Sequence, residues 1–468
     1  MKKHSIHLIA LWALILLAPG CSPNQAEVAG TSCKSDACCE EVAGGEHGCE
    51  EAAGGEHGCQ MAPDGKHRSE AAVKALLEDP TRAANNHNSY EFREIHDTPA
   101  PKGYKPFYIS HYGRHGSRSA WGGRDYEYVI NLLEKGQAAD LLTQGGDSLL
   151  VAARKVLAAY NGMDGRLTPR GVREHKALAR RMYSRYPGVF KGERKVRAAS
   201  STVPRCIVSM TAFTNSLQSI NPKLDIRPDT GERIMDYISP NDSKAHDITR
   251  PAYEKAKAAI AWLPDDTLSV LNALFTDPVA AREFVPSPRR LTDAVFYTAD
   301  IAEDFDVEEN LFRFLPFDAI YLRWARKNIS LYTGQCNSVE GGEGRCEIAL
   351  PTVMDIVTKA DEVIASGEYA ADLRFGHDYP LLALVSFLGI EGVGERIPAE
   401  EICDRWLGFW EIPMASNLQM IFYRNKKGDV LVKFLYQEEE RLLRGLEPLT
   451  GPYYRWTDVK ANLEGFRR

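Results

Sequence analysis

The spacing of apolar residues changes character along the 468-residue chain. Leu8 to Leu17 is an apolar run, preceded by Lys2, Lys3 and His4 and closed by Ala18-Pro19-Gly20. It is too short to cross a bilayer as a helix. A basic start and a small-residue end predict a secretory signal over residues 1–20. From Ser22 to about Ser69 apolar periodicity is lost. Cys39-Glu40-Glu41-Val42-Ala43-Gly44-Gly45-Glu46-His47-Gly48 recurs as Cys49-Glu50-Glu51-Ala52-Ala53-Gly54-Gly55-Glu56-His57-Gly58, and a degraded copy starts at Cys59. Glycine-rich units of this kind cannot bury a core, so residues 21–69 read as a flexible tether.

Helical spacing returns at Glu70 and runs through Leu77. Asn85-Asn86-His87-Asn88-Ser89 and Pro99-Ala100-Pro101 read as loops. They lead to an aromatic and β-branched run at Phe107-Tyr108-Ile109, which is strand material. Tyr126 to Lys135 and Ser148 to Tyr160 have helical spacing. Thr168-Pro169 is an N-cap followed by proline at the first helical position. The helix it starts carries Val172, His175, Leu178, Ala179 and Met182 on one face, with His175 read as a packed residue, and ends near Tyr186-Pro187-Gly188. Lys195 to Ser201 reads as a short strand with a helix behind it. From about Asn215 to Leu350 the pattern is mostly helical with proline breaks, as in an inserted helical cap. Asp372 to Phe375 is strand-like and precedes the apolar stretch Leu381 to Ile390. Leu418 to Tyr423 and Val430 to Tyr436 flank Asn425-Lys426-Lys427-Gly428-Asp429 as a β-hairpin. The sum is an α/β domain over residues 70–468, with the cap mainly at 215–350.

Composition changes this picture little. Hydrophobic residues make up 44% and charged residues 26%, ordinary for a globular protein. The net charge of −7 argues against a general nucleic-acid binder while allowing a locally basic pocket.

The chemistry concentrates in Phe107-Tyr108-Ile109-Ser110-His111-Tyr112-Gly113-Arg114-His115-Gly116-Ser117-Arg118. A strand that breaks into glycines delivers charged groups to its carboxyl end, where α/β proteins bind ligands. Arg114, His115 and Arg118 lie within one short turn. Guanidinium forks fit phosphate oxygens, and a neutral imidazole is a nucleophile near neutral pH. Arg205 follows the Ala199-Ser200-Ser201 strand end at a strand-to-helix junction, a place suited to anions. His377 and Asp378 follow the Leu373-Arg374-Phe375-Gly376 strand end in the same manner.

Arg-His-Gly-Ser-Arg early, an arginine after a Ser-Ser strand end, and a late His-Asp together resemble the histidine acid phosphatases, the second branch of the histidine phosphatase superfamily. Phytases and multiple inositol polyphosphate phosphatases belong to that branch. Leu167-Thr168-Pro169-Arg170-Gly171 and the terminal hairpin with Leu435-Tyr436 add to the resemblance, which covers roughly Tyr104 to the C-terminus. It implies a central mixed sheet flanked by helices, a helical cap, and an active site between them. It implies that His115 is the nucleophile, that Asp378 is the proton donor, and that Arg114, Arg118, Arg205 and His377 bind the phosphoryl oxygens. No metal or other cofactor is implied. The pattern departs in two places. Ser119-Ala120-Trp121 stands where phytases have a proline two residues after the second arginine. His377-Asp378 stands where the multiple inositol polyphosphate phosphatases have His-Ala-Glu. Arg124, Arg289, Arg290 and Arg323 are candidates for contacts to further phosphates, although each alone reads more readily as solvated surface charge.

The expected function is a metal-independent phosphomonoesterase using a phosphohistidine, with inositol phosphates ahead of sugar phosphates and nucleotides. The alternative is a phosphate-ligand-binding lipoprotein without turnover. Cys21, after the small residues of the signal, would carry the lipid and anchor the exported protein to a bacterial membrane. Cys33, Cys38, Cys39, Cys49, Cys59, His47 and His57 could capture metal, yet their spacing matches no compact zinc module. Cys336 and Cys346 bracket a glycine-rich loop and are expected to form a local disulfide in an oxidising compartment. Cys206 and Cys403 remain as a second pair or as two buried thiols. The oligomeric state is not legible in the sequence.

Overall fold

The run that opens at Lys105 becomes β1 (Lys105–Arg114), the strand on which the rest is assembled. A computed structural model describes residues 68–465 apart from 241, 242, 262, 265 and 343. The signal segment, Cys21 and nearly all of the expected tether lie outside the described residues. The described structure begins two residues inside the stretch expected to be a tether. Arg68 is buried, donates to Asp318 (2.9 Å) and stacks over Tyr321, while Ser69 caps the first helix, α1 (Glu70–Glu78).

The predicted helices between β1 and the next strand form as α2 (Arg124–Ala138), α3 (Gln144–Tyr160) and α4 (Pro169–Arg185). Thr168 caps α4 by accepting from Gly171 N, with Pro169 in the first turn. Next come β2 (Lys195–Ser200), α5 (Pro204–Ile220) and β3 (Asp225–Thr230). β3 lies inside the stretch expected to be helical. Only Ile226 marks it as a strand, and Pro228 is tolerated because it sits at the sheet edge. The helical insertion therefore starts after Thr230. Its longer helices are α6 (Ser243–Ala259), α7 (Pro288–Ala302), α8 (Phe317–Gln335) and α9 (Leu350–Ser366). α7 packs against α2, and α2 against α3, so residues 124–160 join the insertion in one helical body. The chain then returns through β4 (Tyr369–Gly376), α10 (Asp378–Leu388) and the predicted hairpin β5 (Asn417–Arg424) and β6 (Val430–Tyr436).

The sheet runs β3-β2-β4-β1-β5-β6, ending on a short strand at Glu439–Arg441. The first four strands are parallel and the rest antiparallel, which makes it mixed. One face packs on α4 and α5 through Ile109, Leu178, Met182, Val196, Phe213 and Phe375. The other buries Tyr108, Tyr112, Leu382, Val385, Phe422 and Phe434 under the remaining helices. Burial on both faces explains why the central strands read as continuous apolar runs. His175 is a packed residue as expected, with its ring centroid 5.7 Å from that of Phe375.

Among the described residues no disulfide is seen, and Cys206 and Cys403 are two separate thiols. The expected bridge from Cys336 falls on the Cys346 side chain, which lies outside the described residues. No described helix is long and apolar enough to cross a membrane.

Candidate active site

Parallel pairing brings the site together. β1 and β4 are neighbours in a register that sets Arg114 opposite Gly376, so the residues that follow, His115 and His377, emerge side by side. His115 N donates to Gly376 O (3.0 Å), and the two imidazole centroids lie 5.6 Å apart. β2 pairs with β4 so that Ser200 is opposite Phe375, and Ser201 N donates to Phe375 O (2.9 Å). That places the first turn of α5, with Arg205, on the same edge, where the amino end of the helix favours anions.

The two glycines of the motifs are there for close approach. A Cβ on Gly116 would lie 2.8 Å from Gly171 Cα, and one on Gly171 would lie 2.3 Å from Ser117 O. The turn after β1 thus seats directly on the start of α4. Glu174, one turn on, accepts from Ser117 N and Ser117 Oγ (2.7 Å each) and from Tyr90 N (3.2 Å). It holds the loop from beneath. Asp304 is buried nearby, and burial together with Glu174 pushes its carboxyl well above the usual range.

Arg114, Arg118, Arg205, His115, His377 and Asp378, all singled out in the sequence, are brought together. Arg114 donates to the carbonyls of Asn86 and Ile412 and pairs with Asp378 (3.1 Å). Arg118 donates to Ser119 O (2.8 Å) and faces His87 Nε2 (3.3 Å). Arg205 Nη2 lies 3.3 Å from His377 Nδ1, and Ser201 Oγ lies 3.1 Å from His377 Nε2. With His377 neutral, its Nδ1 accepts from Arg205 and its Nε2–H donates to Ser201. Both ring nitrogens are therefore engaged by protein groups. Arg205 Nε and Nη1 and Arg114 Nε are buried and find no acceptor among the described residues. These three donors converge at one strand edge, a geometry suited to an anion.

The electrostatics agree with this geometry. Burial, then Arg205, Arg114, His377 and Arg118, hold the His115 imidazole well below its ordinary range, so it is neutral. Its Nδ1 lies 2.9 Å from Gly116 O, a bond only an N–H can make, which leaves the Nε2 lone pair free. His377 is lowered to about 3 by burial and Arg205. Burial also lowers the Arg205 guanidinium, to about 10, with Arg118 and Arg114 adding to it against the pull of Cys206 and Asp378. Asp378 goes the opposite way from a simple buried acid. Burial would raise it, but Arg114 and the Asn86 amide (2.9 Å) hold it well below the carboxylate range.

Several participants were missed in the sequence. Asn86 and His87, read as loop residues, wall the site. Asn86 bonds both Asp378 and Arg114, while His87 faces Arg118 and belongs to a buried cluster with Lys327 and Asp300 (Lys327–Asp300 3.0 Å). A run of Asn-Asn-His-Asn just before the site strand was the available signal. Of the arginines considered for further phosphates, Arg290 pairs with Asp125 (2.5 Å), and Arg323 lies over Phe296, with its charge acting on the Lys327–Asp300 cluster. Among the described residues no group of His, Cys, Asp or Glu side chains could hold a metal ion.

Comparison with known proteins agrees on the architecture. The family model of the histidine phosphatase superfamily (branch 2) matches residues 113–437. Multiple inositol polyphosphate phosphatase 1 from Gallus gallus is 40% identical over 67 residues, a match that spans 14% of either chain. The fold is similar to that of Bifidobacterium longum multiple inositol polyphosphate phosphatase in complex with inositol hexasulfate. That likeness has a TM-score of 0.67 and 17% identity, covering 82% of this chain and 97% of the other. The phytase from D. castellii is similar with a TM-score of 0.60 and 12% identity, covering 82% and 85% of the two chains.

Proposed function

The chain belongs to branch 2 of the histidine phosphatase superfamily, and from that premise we propose that it hydrolyses phosphomonoesters through a phosphohistidine, with inositol polyphosphates as the substrate class. The observation that carries this reading is a neutral His115 with a free Nε2, set among buried guanidinium donors that have no acceptor. Phosphoryl transfer needs charge neutralised on the equatorial oxygens, and Arg114, Arg118 and Arg205 supply it from the protein itself.

His115 Nε2 forms a bond to phosphorus while the ester P–O bond breaks, and the departing alkoxide takes a proton from Asp378. Asp378, now a carboxylate, takes a proton from water as the water oxygen attacks phosphorus and the P–N bond breaks. One carboxyl group serves first as acid and then as base. Arg114 holds that carboxyl ionised while the site contains no phosphate. An arriving phosphate dianion engages Arg114 and repels the carboxylate, and both effects raise its affinity for the proton it must donate. The substrate class rests on the inositol phosphatases and phytases whose fold this chain shares.

The test is release of inorganic phosphate from phytate, glucose 1-phosphate and an aryl phosphate with a chelator present. Release without added metal supports the reading. Phosphate binding without release from any of the three would make the protein a binder. We also propose export through residues 1–20 and lipid attachment at Cys21. Palmitate labelling that survives Cys21→Ala would overturn the attachment.

A further inference from the structure

Trp121 is 55% exposed, although Ser119 and Ala120 before it are fully buried. Its indole is not loose. Gly165, in a left-handed conformation, is so close that a Cβ there would lie 2.9 Å from Trp121 Cε3, and Gly165 N donates to Ala120 O (2.6 Å). Trp121 N bonds the Tyr297 hydroxyl at 3.4 Å from the helical body. The exposed ring thus lies against the Gly165 backbone, and the Trp121 main chain is tied to the helical body. The guanidinium carbons of Arg205 and Arg118 lie 4.7 and 5.4 Å from its centroid. Both are arginines of the anion site, and both press on a ring whose remaining surface faces solvent.

We propose that Trp121 is a specificity-determining residue, a platform at the mouth of the site for the organic group of the substrate. A phosphoryl group held by Arg118 and Arg205 carries its leaving group one ester oxygen away, beside the indole. Trp121 has no charge and cannot form an ion pair with another phosphate. It can pack against a face of C–H bonds, which a cyclic polyol presents and a short acyclic alcohol does not. By stacking on the two guanidinium groups it also limits their motion, a cation–π role that serves every substrate alike. The platform rests on the phosphomonoesterase reading above.

The test compares inositol hexakisphosphate with glycerol 2-phosphate on the full chain, with KM and kcat determined separately for wild type, Trp121→Ala and Trp121→Phe. The Ala variant is expected to raise KM about tenfold for the cyclic substrate and about threefold for the acyclic one. Trp121→Phe, which keeps a ring, should recover most of the cyclic substrate's loss. Equal losses on both substrates, or none, would overturn the platform. If wild type cleaves glycerol 2-phosphate but no inositol phosphate, the substrate class proposed above fails on its own. Glucose 1-phosphate then takes the cyclic arm of the same comparison. If neither ester is cleaved, the phosphomonoesterase reading itself has failed, and the platform falls with it.

Discussion

Arg374 and Arg205 are buried arginines at the same edge of the sheet, and they solve the cost of burial in opposite ways. Arg374 lies in β4, two residues before Gly376. It pairs with Asp355 (2.6 Å), donates to Ser110 Oγ (3.0 Å), and has Asp372 close by. Burial works against its charge, but Asp355 and Asp372 outweigh burial and raise its pKa. Arg205 has burial and its neighbours Arg118 and Arg114 against it, keeps two donors without acceptors, and is lowered to about 10. Arg114 is lowered as well, by burial, with Asp378 its one ion-paired carboxylate. The difference separates structure from function. A cation paired inside the protein has its charge answered by the fold, whereas a buried cluster of like charge favours an incoming anion.

The largest expected effect removes the atom around which the unpaired cluster is built. His115→Ala should reduce turnover to background while inorganic phosphate still binds, since Arg114, Arg118 and Arg205 remain. Acid quenching during turnover should trap acid-labile phosphate on the native enzyme and none on the variant. Phosphate trapped on His115→Ala would place the nucleophile elsewhere.

Asp378→Asn removes the one carboxylate that pairs within the cluster. With an inositol or sugar leaving group, cleavage should fall by about 10²–10⁴-fold, because a basic alkoxide departs without its proton. An aryl group needs less help. Its first step should persist as a burst of phenol, followed by slow turnover as phosphohistidine accumulates. Inorganic phosphate should bind the variant at least as tightly as wild type, since a repelling charge is gone. Equal losses for both leaving groups with no burst would leave Asp378 only an orienting role.

The comparison itself is tested by paired substitutions. Arg205→Met should lower kcat/KM by about 10²–10³-fold, as loss of one preorganised donor does, without lowering the melting temperature. Arg374→Met should cost about 1.5–3 kcal/mol of stability, since it removes charge-assisted bonds to Asp355 and Ser110 while Lys359 still pairs with Asp355 and Arg197 with Asp372, and folded protein should turn over close to wild type. Phosphate should raise the melting temperature of Arg374→Met and have far less effect on Arg205→Met. If both variants lose stability alike, Arg205 is a structural cation and the distinction drawn here is wrong.

What could be read in advance followed chain continuity. Arg114, His115 and Arg118 share one turn, and His377 and Asp378 adjoin a strand end, so local pattern alone exposed them. β1, β2, β4 and the β5–β6 hairpin were visible because both of their faces are apolar or their turn residues are explicit. β3 was hidden because Asp-Ile-Arg-Pro-Asp-Thr is an edge strand with little to bury. Asn86, His87, Glu174 and Trp121 were hidden for a different reason. Each acts on a partner far away in sequence, as Asn86 does on Asp378, and no local spacing carries that pairing. Glu174 left one trace, a carboxylate beside the buried face of α4.

The smallest expected effect contrasts histidines in the two regions. His111 and His175 are packed around Phe375 in the core behind the sheet edge, whereas His87 and His377 border the site. All four are lowered to about 3, with burial the largest cause. An unfolded histidine titrates near 6.5, so between about pH 6.5 and 3 the unfolded chain binds more protons than the folded one. Stability therefore falls as pH drops through that window, by up to about 1.4 kcal/mol per pH unit for each histidine. Carboxylates such as Asp300, held to about 2 chiefly by Lys327 against burial, add to the loss only below about pH 4. His111→Phe tests the packed region alone, because the ring sits 5.4 Å from Phe213 and 5.3 Å from Phe375 and touches no phosphate-binding arginine. Urea unfolding of wild type and His111→Phe at pH 7 and pH 5 should show the variant losing about 2 kcal/mol less across that interval. Saturating phosphate should leave this difference intact, since the anion binds at the other region. An unchanged pH response in His111→Phe would mean that His111 takes up its proton without unfolding.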